Sequence, residues 1–234
     1  MTSTGPSTTT LLGSTARPPR PALSSGSIAA LVAAAVTFNL GGALHPNDSG
    51  TGSKVDQLHD MLLEPRWYPS HLFLLASFAL FTVALGRLVR RLDTTPVTHL
   101  LLRVMVVVSA VTTAAMVPHV LAPLGADSLA DGRANALSAF MTIDETLADA
   151  PWALGIALLA LVGGVSGDLG NRVTAVAGLV GGACFAAAAL TIPFSDALDA
   201  LFAVGGSGIT LWALGVAAVG AWRRRTDQGA VRRA

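Results

Sequence analysis

The stretch "EPRWYPSHLFLLASFALF", residues 64–81, decides the fold. It opens as a polar loop around Glu64, Pro65 and Arg66 and passes at His71 into an unbroken apolar run. The run does not alternate apolar with polar residues, as a strand of a membrane barrel would, so it reads as a helix whose amides bond within their own segment. A helix needs roughly 20 apolar residues to cross a hydrocarbon core about 30 Å thick. Six runs of this kind are expected, at 27–44, 71–88, 104–124, 152–167, 173–193 and 201–222. The fourth is short for a span and is expected to begin earlier or to tilt.

Composition agrees with that pattern. Hydrophobic residues make up 52% of the 234-residue chain and charged residues 12%, against about 25% charged in a soluble domain. The expected fold is all-α: a polytopic, six-helix transmembrane bundle with short amphipathic helices in its outer loops. Residues 1–26, rich in Ser, Thr, Pro and Gly, read as a disordered cytoplasmic tail. Residues 27–222 form the membrane domain, and 223–234 a basic cytoplasmic tail. A signal peptide cleaved after "GGA" (41–43) is the alternative for the first span.

Charge sets the expected orientation. With these spans, 12 of the 15 Lys and Arg residues fall on one side, leaving Lys54, Arg66 and Arg133 on the other. The crowded side is then cytoplasmic, with both termini inside. The opposite loops hold 11 of the 14 acidic residues. Abundant Ala and 14 Arg to 1 Lys suggest a GC-rich bacterial genome, hence a bacterial plasma membrane. The expected partner is the lipid bilayer, whose anionic headgroups account for the basic rim without nucleic acid. Cys184, alone in the fifth run, is expected to be a small packing residue.

Two loop segments should be helical. Ser53 with Asp56 makes a capping box ahead of Val55, Leu58, His59 and Leu62, and Pro65 ends the helix. In "RANALSAFMTIDETLA" (133–148), Ala136, Phe140, Ile143 and Leu147 follow helical spacing, with Asn135, Ser138, Thr142 and Glu145 opposite. At about 100° per residue Asp144 falls inside the apolar arc, where a carboxylate needs a partner, such as Arg66 or Arg133. Gly178 and Gly182, and Gly205, Gly206 and Gly208, read as close helix packing rather than phosphate binding. Asn39 should face protein rather than lipid. Trp67, Tyr68 and Trp152 read as interfacial anchors.

Histidine placement supplies the site hypothesis. His45 ends the first run, His71 begins the second, His119 lies near the end of the third, and His59 is on the first loop helix. All four sit at the outer level, and only His99 is inside. Ser109, Thr112, Met116 and His119 form one stripe roughly 80° wide. The candidate site residues are therefore His45, His71, His119 and Asp144, with His59. They are expected either to converge on a small ligand, a metal ion or a haem, or to serve as interfacial residues. No HExxH, CxxCH or paired i, i+4 histidines mark a specific metal or haem site. Function classes follow: an outward binding pocket, a membrane-embedded metal-dependent hydrolase, or a small-solute transporter built on an inverted repeat.

Overall fold

The computed structural model describes residues 22–47, 51–133 and 135–231. Among these the regular structure is helical, with no strand. We number the main helices α1 (Ser25–Leu44), α2 (Lys54–Leu63), α3 (Trp67–Arg91), α4 (Pro96–Val120), α5 (Ala136–Ser166), α6 (Arg172–Thr191) and α7 (Ala200–Val231). All except α2 are long and apolar enough to cross a membrane. The ends are written in the chain. Ser24 accepts a hydrogen bond from the Ser27 amide, Pro96 stands in the first turn of α4, Asn171 and Thr174 form a capping box on α6, and Gly167 ends α5 in the left-handed region at φ 79°. Ser53 and Asp56 form the expected capping box on α2.

The six long helices close into a ring, α1 on α3, α3 on α4, α4 on α5, α5 on α6, α6 on α7 and α7 back on α1. Its centre is aromatic. Trp152, fully buried, is met edge-on by Phe78 at 4.8 Å and lies within 6.3 Å of Phe38, Phe81 and Phe185. Its indole N–H donates to Ser109 Oγ at 3.0 Å, so the ring is buried with its polar atom satisfied. Small residues set the helix spacing. A Cβ at Gly182 would meet the Ala153 carbonyl, and Gly181 and Gly208 face each other across α6 and α7. Gly178 packs against Ala160 and Trp212, as expected of the GxxxG step, whereas Gly206 is only in ordinary contact with Phe38. The outside is the reverse of a soluble protein: Leu72, Val83, Val107, Val111, Val173 and Val176 are among its exposed apolar side chains.

One end of the ring holds His45, His71 and His119, and the other holds Arg90, Arg91, Arg172 and Arg223. We call these the histidine end and the arginine end. The arginine end is stitched by polar contacts. Asp168 Oδ2 accepts from the Thr95 amide at 3.0 Å and its hydroxyl at 2.8 Å, and Arg223 donates to the carbonyls of Gly167 and Gly170. Partial burial opposes ionisation of Asp168, but its hydrogen bonds from Thr98, Thr95 and Ser166 together hold the carboxyl below its ordinary value. At the histidine end Lys54 of α2 pairs with Asp196 in the loop before α7.

Several expectations are corrected. The segment 133–148 is not a separate loop helix: from Ala136 it is the first half of a 31-residue α5, and this supplies the length the fourth run lacked. Ile143 and Leu147 are exposed while Asp144 is buried against His119, because the outer surface here is apolar. Trp67 and Trp152 are core residues with no exposed surface, leaving Tyr68 as the exposed anchor of the three. Asn39 faces outward. The last helix runs past Trp222 through the basic segment to Val231. Most of the expected N-terminal tail, residues 1–21, lies outside the described residues.

Candidate functional site

Trp67 and His71 are one turn apart on α3, and both are fully buried. Their rings stack, with centroids 3.8 Å apart and planes at 22°. His119 of α4 lies 5.1 Å from His71 and 5.6 Å from Trp67, and His45, just after α1, lies 4.8 Å from His71. Three helices thus deliver three imidazoles and one indole to a single cluster, in which Trp67, His71 and His119 stack and His45 is tilted at 51° to His71. The stripe Ser109, Thr112, Met116 and His119 turns inward as expected, and all four are buried.

Hydrogen bonds fix each imidazole. His71 Nδ1 lies 2.7 Å from the Trp67 carbonyl, His45 Nδ1 2.9 Å from the Pro46 carbonyl, and His119 Nδ1 2.9 Å from Asp144 Oδ2. A carbonyl or ionised carboxylate oxygen can only accept, so Nδ1 is the donor toward these three oxygens; Ser70 Oγ also lies 2.9 Å from His71 Nδ1. In the neutral ring each Nε2 is then a bare lone pair. Among the described residues, His71 Nε2 is buried with no hydrogen-bond partner, and so is Asp144 Oδ1. Burial drives the His45 pKa down to about 4, against the opposing pull of the Pro46 carbonyl; the neighbouring His119 lowers it further.

The carboxylate side comes from a local irregularity in α5. Residues Glu145–Asp149 form a π turn in which the Ala150 amide donates to the Glu145 carbonyl. One wide turn is a frequent mark of a functional segment. Within it the Ala148 carbonyl accepts from Thr112 Oγ1 at 3.3 Å. Asp144, Glu145 and Asp149 interact electrostatically with one another, and Glu145 also with His119, Lys54 and Asp199. The partner of Asp144 is therefore His119. Arg66 lies 3.9 Å from Glu64, and Arg133 donates to Asp131 at 2.8 Å.

Of the five predicted site residues, His45, His71, His119 and Asp144 come together, while His59 stands apart on α2 beside Asp60 at 3.9 Å. Two cofactor expectations do not fit the geometry. Among the described residues no group of three or more His, Cys, Asp or Glu side chains is placed to hold a metal ion. The rings pack around His71, each with its Nδ1 on a different oxygen, instead of aiming three donors at one point. A haem held between His71 and His119 needs room for a flat macrocycle, and rings 5.1 Å apart with planes at 26° leave none. Trp67, Glu145 and Asp149 were missed as members of the cluster. The signals for them are the i, i+4 step from Trp67 to His71 and three acids within the six residues 144–149, in an otherwise apolar helix.

Comparison with family models, with curated proteins and with solved structures finds no match for this chain.

Proposed function

We propose that this is a multi-pass membrane protein whose histidine end faces away from the cytoplasm and binds protons, so that the imidazole stack acts as a pH-responsive centre. The observation that carries this is a shared geometry: three adjacent imidazoles each set Nδ1 within 2.9 Å of an oxygen acceptor, which leaves Nε2 as a base, next to three carboxyl groups. The cluster is rich in proton acceptors. The cation nearest it on α2, Lys54, is already paired with Asp196. Ionisable groups inside a bundle commonly mark proton or ion sites.

The packing implies a one-sided centre. Trp152 and its phenylalanines fill the ring toward the arginine end, so protons enter from the surface around α2 and His45. Imidazoles 4.8 and 5.1 Å apart cannot all become cationic without repelling one another. Uptake of more than one proton therefore loosens the stack and with it the seat of α2, the two-state element such a switch needs. The groups facing the stack are Asp144, Glu145 and Asp149 from α5. Lys54 from α2 and Asp199 before α7 lie close to Glu145.

Tryptophan emission tests this, because a protonated imidazole beside an indole quenches it, and His45 lies 6.4 Å from Trp67. In nanodiscs, acidification from pH 7 to 3, through the His45 value of about 4, should lower the emission of the intact protein, and His45→Phe should shrink the change while His59→Phe and His99→Phe keep it. A flat response in the intact protein, or an unchanged one in His45→Phe, would overturn the proposal.

A further inference from the structure

At the arginine end, α3 and α4 diverge around a furrow of about 440 Å³ on the outside of the bundle. Val83, Val89 and Val106 wall it, and Gly86 leaves it open: a Cβ there would have no heavy atom within 4 Å. Its mouth carries Arg90 from the last turn of α3 and Arg103 from α4, two exposed guanidinium groups that make no hydrogen bond or ion pair among the described residues. Among the described residues no acidic side chain lines the furrow. A second groove, between α1 and α7, repeats the pattern, with Arg224 and Arg225 at its end, although Arg224 there already donates to Ser25.

We infer that the α3–α4 furrow is a binding site for one anionic phospholipid, its acyl chain along the valines over Gly86 and its phosphate held by Arg90 and Arg103. The two halves of the site match the two halves of such a molecule. Guanidinium groups recognise phosphate oxygens through paired N–H donors, and basic pockets between membrane helices on the inner side take anionic headgroups. A free phosphate would leave the apolar part of the furrow unused, and a zwitterionic lipid would bring its own cation to two arginines. The inference rests on the membrane placement proposed above and is independent of the histidine stack.

Native mass spectrometry of the detergent-purified full chain, with phosphatidylglycerol or phosphatidylcholine of the same acyl length added, tests it. Phosphatidylglycerol should bind about tenfold more tightly than phosphatidylcholine. The double variant R90Q/R103Q should erase that preference, and G86L, which keeps both charges and fills the furrow, should weaken binding of both lipids. Excess inorganic phosphate should not displace the bound lipid. Equal binding of the two lipids, an unchanged preference in R90Q/R103Q, full binding by G86L, or displacement by inorganic phosphate would each overturn the site. A chain that stays monodisperse without detergent would instead overturn the membrane placement, which separates the two failures.

Discussion

Replacing the two ends of the His119–Asp144 hydrogen bond, singly and together, probes the strongest polar contact in the cluster. The bond is 2.9 Å long, and its side chains are 7% and 0% exposed. Asp144→Ala leaves the His119 N–H without an acceptor in the interior, at a cost of about 1–3 kcal/mol. The same change also removes a buried carboxyl that is itself expensive to hold, so the single variants mix two opposing effects. The coupling energy from a double-mutant cycle with His119→Phe isolates the pair. Hydrogen bonds between membrane helices average about 0.6 kcal/mol in such cycles and reach about 1.7. A short, desolvated, charge-assisted bond belongs at the top of that range, so the expected coupling is about 1.5 kcal/mol. Asp144→Asn keeps an acceptor oxygen and should cost less than about 1 kcal/mol while removing the group's capacity for a proton. Reversible unfolding in mixed micelles, followed by far-ultraviolet circular dichroism, provides the energies. A coupling below about 0.5 kcal/mol, or an Asn variant as unstable as the Ala variant, would refute the reasoning.

Three further outcomes are expected. Trp152→Ala should destabilise the bundle by about 3–5 kcal/mol, because four phenylalanine contacts and the Ser109 hydrogen bond are lost from the centre of the ring; thermal unfolding checks it. His45 has a folded pKa of about 4 against an ordinary 6.5, so the unfolded chain takes up its proton first as pH falls. Stability should therefore be lost between pH 6.5 and 4, by at most about 3 kcal/mol, and His45→Phe should flatten that part of the unfolding-versus-pH curve. Lys54→Ala breaks an ion pair whose partners are 38% and 43% exposed, so it should cost less than about 1 kcal/mol, and the cost should shrink further in high salt.

The helical class and the six long segments were legible in the sequence because apolar runs of spanning length leave the backbone one option. The inward stripe of α4 was legible for the same reason, since Ser109, Thr112 and His119 recur at helical spacing. The facing of α5 was not. In a soluble helix the apolar arc points inward, whereas here Ile143 and Leu147 face outward and Asp144 faces His119. Periodicity locates an arc without saying which side is the solvent. The π turn at Glu145–Asp149 also escaped, because one inserted residue shifts the 3.6-residue pattern without a composition signal. Trp67 was assigned to the membrane rim by residue type, and only packing against His71 and His119 shows it inside the cluster. The convergence of His45, His71 and His119 was suggested by their common level, but their stacking, which disfavours a shared ion, depends on ring orientations that spacing does not encode.

The most direct test of the proposed proton-binding centre is nitrogen-15 magnetic resonance of histidine-labelled protein in nanodiscs, titrated between pH 8 and 3, through the His45 value of about 4. Near neutral pH, His45, His71 and His119 should each show a protonated Nδ1 and a bare Nε2, and acidification should protonate these rings while His99 serves as the reference outside the stack. Finding the proton on Nε2 in these three histidines, or rings that remain neutral throughout the titration, would contradict the account.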